Sequence, residues 1–140
     1  MTLQERFTQF YHRLDLTSLE QLPAIYAGGV AFQDPVGTHS GLKELDSYFR
    51  KLLEGCTDCR FKIDEQQFDQ TSGYVNWTMS FSSPRLNGGE IIDVEGVSLL
   101  AIDGDRITIQ RDYYDLGAMV YEQLPILRRI VRYIRGRMAA

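Results

Sequence analysis

Near Gly55 the hydrophobic period of this chain changes from 3.6 to 2, and that change narrows the possible folds more than any other feature. Before it, Leu3, Phe7, Phe10 and Leu14 share one helical face behind the capping-box pair Thr2 and Glu5. The same spacing in Thr17 and Glu20 predicts a second helix carrying Leu19, Leu22 and Tyr26, stopped by Gly28-Gly29. A short strand, Val30 to Phe32, and a loop to Gly41 follow. A third helix then carries Leu42, Leu45, Phe49 and Leu52. Beyond Gly55, Phe61 and Ile63 mark a strand, and Val75, Trp77, Met79 and Phe81 alternate with Tyr74, Asn76, Thr78 and Ser80. Asn87-Gly88 and Asp103-Gly104 are hairpin signals flanking a long strand from Ile91 to Ile102.

Helices followed by strands specify an α+β fold. The expected architecture is a cone-shaped roll: a curved antiparallel sheet packed against three N-terminal helices, plus a C-terminal helix. A sheet curved in this way and closed by helices leaves an interior suited to a small ligand. The 140 residues form one expected domain, with residues 1–117 as its core and 118–140 as a basic amphipathic helix.

Composition excludes several classes of function. A net charge of -4 argues against nucleic acid as the main partner. No apolar run is long enough for a membrane span, and no secretory leader is evident, so a cytoplasmic location is expected. Cys56 and Cys59 form a C-x-x-C between a helix end and a strand, the wrong end of a helix dipole for a reactive thiolate. The only histidines, His12 and His39, add no metal-ligand spacing, so incidental cysteines are expected, with no metal and no cofactor.

The strand after Asp103-Gly104 ends in Arg111-Asp112-Tyr113-Tyr114-Asp115. Charge is poorly solvated in a half-buried strand, so this cluster marks either a polar pocket inside an apolar body or a salt-bridged strand edge. Alternation puts Gln110, Asp112 and Tyr114 on one side and Arg111, Tyr113 and Asp115 on the other.

The order of elements and two local motifs resemble the nuclear transport factor 2-like superfamily. That superfamily includes steroid delta-isomerases, limonene epoxide hydrolases and SnoaL-like polyketide cyclases. The resemblance covers essentially the whole chain and implies a homodimer through the outer sheet face. Asp34-Pro35-Val36-Gly37 is similar to the isomerase segment whose aspartate is the general base. Read without the resemblance, Asp34 equally suits a turn in which its carboxylate caps the backbone. The isomerase tyrosine falls at Phe10, with Tyr11 one step round the helix, and its protonated aspartate falls near Ser98. Phenylalanine cannot donate a hydrogen bond, and serine is a much weaker acid. The Arg111-Asp112-Tyr113-Tyr114-Asp115 segment is similar to a hydrolase strand end whose first aspartate activates water. The accompanying Arg-x-Asp is missing from Tyr74 to Phe81.

The candidate catalytic residues are therefore Asp112 and Asp34. Candidate ligand contacts are Tyr114, Gln110, Trp77, Phe10, Tyr11, Ser98 and Phe32, with Met79, Phe81, Phe49 and Leu100 as further apolar lining. His39 is either a pocket residue or a solvent-exposed loop residue. Two coupled carboxylates in a cavity would supply a proton donor and acceptor for isomerisation, cyclisation or hydration of a small apolar molecule. The alternative is a non-catalytic module holding such a ligand or a protein partner. In the last segment Ile126, Leu127, Ile130, Val131 and Ile134 form a stripe beside Arg128, Arg129, Arg132, Arg135 and Arg137. That stripe is expected to dock on the body with the arginines in water; a membrane or acidic partner is the other option.

Overall fold

The computed structural model describes residues 1–119 and 124–139. Helix α1 (Leu3–His12) opens with the Thr2–Glu5 capping box and buries Leu3, Phe7, Phe10 and Tyr11. The second expected helix is mostly a 3-10 turn, Thr17–Gln21, and one α turn, α2 (Leu22–Ile25). Thr17 does not cap it. Asp15 accepts the Ser18 N–H at 2.8 Å, and Thr17 donates its hydroxyl to the same carboxylate.

Tyr26 is the other departure in this region. It begins strand β1 (Tyr26–Gln33), and Gly28-Gly29 lies within that strand instead of ending a helix. The pairing register slips between Tyr26 and Ala31, so the two glycines sit at a bulge, where a missing side chain costs little. After β2 (Thr38–Ser40), α3 (Gly41–Glu54) runs to Gly55 as expected.

Strands β3 (Asp58–Phe68), β4 (Ser72–Ser82), β5 (Ile92–Asp103) and β6 (Arg106–Tyr114) form the antiparallel meander. The full sheet runs β2-β1-β6-β5-β4-β3. It is mixed, because β1 joins β6 in parallel, whereas a wholly antiparallel sheet was expected. Bulges between Ile63 and Glu65 and between Ala101 and Ile102 curve the sheet around the helices. Asn87-Gly88 forms no two-residue hairpin. Asn87, Gly88 and Gly89 all have positive φ in a 3-10 turn within the longer β4–β5 connection. Asp103 and Arg106 do pair across a two-residue turn at Gly104 (φ 61°).

Val75, Trp77, Met79 and Phe81 of β4 face inward and join α1 and α3 in one core, with Cys56 and Cys59 packed at its margin. Helical structure resumes at α4 (Leu116–Met119) and α5 (Pro125–Ala139); residues 120–123 and Ala140 of the expected terminal helix lie outside the described residues. The stripe on α5 does not reach the core: Val131 is half-buried, and Ile126, Leu127, Ile130 and Ile134 are exposed. The inner sheet face is already filled by α1 and α3, so it offers this helix no apolar surface to cover. No helix among the described residues is long and apolar enough to cross a membrane.

Gly96 lies opposite Trp77 across β4 and β5. A Cβ there would stand 2.3 Å from the indole ring, which is rigid and only 6% exposed. Gly96→Ala should therefore overpack the site and lower stability by about 1–3 kcal/mol, read as a fall in the thermal unfolding midpoint.

Candidate functional site

A cavity opens between the inner face of the sheet and α1, α3 and α4. Its apolar wall includes Phe7, Phe32, Phe49, Val75, Trp77 and Met79, and Met119 of α4 also lines it. Its polar wall comprises Tyr11, Asp34, Tyr48, Ser98, Asp112 and Tyr114. About 40 Å³ is open to the centres of water-sized spheres, room for roughly three waters at 10–15 Å³ each.

Alternation on β6 places Gln110, Asp112 and Tyr114 inward, while Arg111 and Tyr113 face out in a cation–π contact at 4.8 Å. Ser98 on β5 is the cross-strand partner of Asp112 and donates its hydroxyl to Asp112 Oδ1 at 2.6 Å. Gln110 Nε2 donates to the same oxygen at 2.9 Å. Trp77 Nε1 donates to Ser98 Oγ at 2.9 Å. Behind them Tyr26 donates to Gln110 Oε1 at 2.6 Å, and the Tyr11 and Tyr26 hydroxyls lie 2.7 Å apart. Since the Tyr26 proton is committed to Gln110, Tyr11 must donate to Tyr26. Burial holds both phenols above their ordinary range, so they remain protonated donors.

Asp112 is surrounded by protein and keeps only a cavity-facing edge accessible. Burial raises its carboxyl from the usual 3.8 to about 7; the Ser98 and Gln110 hydrogen bonds oppose that rise, and the Asp34 charge adds to it. Its neutral and ionised forms therefore coexist near neutrality. With Oδ1 held by two donors, Oδ2 is the oxygen left to the cavity.

Asp34 follows β1 and is buried. Its Oδ1 accepts the backbone N–H groups of Val36 at 2.9 Å and Gly37 at 3.1 Å, so the carboxylate caps the D-P-x-G turn. Its Oδ2 accepts the hydroxyl of Tyr48. Burial and the Asp34 contact raise the Tyr48 phenol, and burial and the Asp34 charge raise that of Tyr114.

The structure therefore gathers Asp34, Asp112, Ser98, Tyr11, Tyr114, Trp77 and Phe32 around one cavity, with Gln110 as the internal tie. It leaves out others. Phe10 points into the core against Tyr11 and Phe49, because one helical step turns it away from the cavity. Phe81 and Leu100 are likewise core residues. His39 stacks on Tyr48 with ring centroids 4.0 Å apart and lines an outer groove, not the cavity. Tyr48, which lines the cavity, and Tyr26, which bonds Gln110 behind it, belong to the candidate site and were missed by the sequence reading. Tyr48 was detectable, since it continues the i, i+3 series of Leu42 and Leu45 on α3. Among the described residues no group of three or more His, Cys, Asp and Glu side chains is placed to hold a metal.

The chain folds as an α+β roll with acids at the floor of an apolar cavity. It belongs to the SnoaL-like domain family, whose model matches residues 7–110. Solved structures agree. A hypothetical protein of ketosteroid isomerase-like fold from Catenulispora acidiphila, in complex with trimethylamine, aligns with TM-score 0.72 at 16% identity over 88% of this chain and 93% of its own. A protein proposed to be a polyketide cyclase from Acidithiobacillus ferrooxidans aligns with TM-score 0.72 at 19% identity, covering 89% of this chain and 95% of its own. An NTF2-like protein of unknown function from Burkholderia pseudomallei gives TM-score 0.70 at 20% identity, covering 84% of this chain and 91% of its own. No curated protein matches the chain at a significant level.

Asp112 should make folding pH-dependent. Its folded value lies above its unfolded one, so the folded state holds an extra proton between about pH 4 and about pH 7, and stability falls as pH rises through that window. Relative to Asp112→Asn, the native protein should lose up to roughly 3 kcal/mol between about pH 5 and about pH 8, measured by denaturant unfolding. Ser98→Ala removes an opposing hydrogen bond and should move the Asp112 carboxyl titration upward, seen by carbon NMR.

Proposed function

We propose that this protein is a cofactor-free acid–base enzyme of the isomerase or cyclase kind, acting on a small apolar carbonyl compound, with Asp112 as its proton-transfer group. The observation that carries this reading is the Asp112 carboxyl itself: it lies in an apolar cavity, is poised near neutrality, and has one oxygen fixed and one facing the cavity. In the ionised form, Oδ2 removes a proton from the carbon beside the carbonyl, and the electron pair moves to the carbonyl oxygen. Tyr114, kept protonated, donates a hydrogen bond to that oxygen. In an isomerisation Asp112 then returns the proton to carbon. In a cyclisation the enolate carbon first attacks a second carbonyl of the same molecule, a C–C bond forms as that C=O π bond opens, and Asp112 protonates the resulting alkoxide. Either route closes the cycle without redox change.

Asp34 supports the site in this scheme. It holds the Tyr48 hydroxyl, and its charge raises the Asp112 carboxyl. Met119, on the single-turn helix α4, lines the narrow cavity. Exposed Leu99, Ile109 and Tyr113 on the outer sheet face support a homodimer through that face.

A second reading, a non-catalytic ligand-binding module, is favoured by one observation. Both Asp34 oxygens are already committed to the turn and to Tyr48, so one of the two acids does structural work. Solvent deuterium exchange into enolisable cyclic ketones separates the two. An enzyme should exchange faster as pH rises through about 7, and Asp112→Asn should slow exchange at least about a hundredfold while retaining ketone binding. Exchange no faster than buffer, with Asp112→Asn merely weakening binding, would establish the module instead.

A further inference from the structure

Cys56 and Cys59 are the only cysteines of the chain, and neither lines the cavity. Cys56 follows the stop of α3 at Gly55, in a stretch that is neither helix nor strand, and Cys59 is the second residue of β3. Two backbone hydrogen bonds shape this corner. The Cys56 N–H reaches Leu53 O at 3.4 Å, and the Thr57 N–H reaches Ser82 O at 2.8 Å. The corner turns the two side chains toward each other, and the Cys59 thiol donates a hydrogen bond to Cys56 Sγ. Both cysteines are unpaired and only half-buried, and Gly55 and Thr57 beside them are exposed, so a small molecule in solution has access to the sulfurs.

We infer that Cys56 and Cys59 form a dithiol site that exchanges with low-molecular-weight disulfides, Cys56 attacking and Cys59 resolving. A helix N-terminus or a neighbouring cation is the usual support for a reactive thiolate, whereas Cys56 stands beyond the C-terminal end of α3. Its support is the partner thiol. That hydrogen bond holds the Cys56 thiol below its ordinary value, while the same bond, burial, and the charges of Cys56 and Asp58 push the Cys59 thiol up. Two adjacent sulfurs therefore have unequal roles. In the first step the Cys56 thiolate attacks one sulfur of a disulfide R–S–S–R; a mixed disulfide forms and RS⁻ leaves. Cys56 Sγ then carries no charge, so the Cys59 thiol loses both its acceptor and one of the charges that held its proton. Cys59 deprotonates and attacks Cys56 Sγ, the mixed disulfide breaks, and the second RS⁻ leaves. Both leaving thiolates take up the protons that the protein thiols gave. The pair is oxidised to one internal disulfide, and R–S–S–R is reduced to two R–SH.

Incubation of the reduced, folded full chain with oxidised glutathione at neutral pH, acid quenching and intact-mass measurement test the inference. The native chain is expected to lose two hydrogens and retain no glutathione. Cys59→Ser should stop with one glutathionyl group on Cys56, and Cys56→Ser should react at least about tenfold more slowly than Cys59→Ser. Iodoacetamide labelling of the native chain with peptide mapping reads the same division without any substitution, and Cys56 should be alkylated before Cys59. Thiols that stay reduced in the folded native chain, under conditions in which the denatured chain reacts, overturn the inference. Accumulation of two glutathionyl groups, or of a disulfide between two chains in place of the internal one, does so too. Equal rates for the two serine variants, or alkylation of Cys59 first, overturn the assignment of roles.

Discussion

The cavity depends on the parallel contact between β1 and β6. Gln33 pairs with Arg111 at the end of that contact, so the next residue of each strand, Asp34 and Asp112, emerges at the same level of the sheet. Parallel neighbours require a long crossover, and here the crossover comprises β2, α3 and the β3–β5 meander. The route that allows the strands to pair also carries α3 past the sheet, which brings Tyr48 to Asp34. Losing this one pairing would separate the carboxylates and unseat the helix that lines the cavity beside them.

An apolar body tolerates such a polar floor only because nearly every group on it is partnered. Protons run in one direction, from Tyr11 to Tyr26 to Gln110 to Asp112, with a second branch from Trp77 through Ser98 to the same oxygen. Two neutral donors cannot fully replace water around a carboxylate, so the shortfall stays on Asp112 and its affinity for a proton rises. The turn at Asp34 is built differently. Two backbone N–H groups and a phenol converge on that carboxylate and tie it to the turn and to α3. Two aspartates in one cavity thus have unlike surroundings, which is how a single site can assign them unlike roles.

Much of this was legible because strand periodicity is strict. Alternation along Gln110 to Tyr114 sorted inward from outward residues correctly, and the D-P-x-G motif located Asp34. The failures share a cause, in that local signals cannot see which surfaces tertiary structure leaves open. Tyr26 followed a helical pattern in sequence, but pairing with Ile107 drew it into a strand. Phe10 and Tyr11 differ by one helical step, which no pattern resolves without the sheet they face. The stripe on α5 resembled a docking face, and only the filled core shows that the inner side of the sheet has no place for it.

Ser98 has a single proton to give, and it goes to Asp112 while the indole of Trp77 donates to the same hydroxyl oxygen. Trp77 is the only tryptophan of the chain. Any event at the carboxylate, whether protonation, ligand arrival or displacement of a water, therefore alters the surroundings of a single fluorophore one hydroxyl away. The protein carries its own optical reporter at the floor of the cavity, and the state of the Asp112 carboxyl can be followed in unlabelled, unmodified molecules.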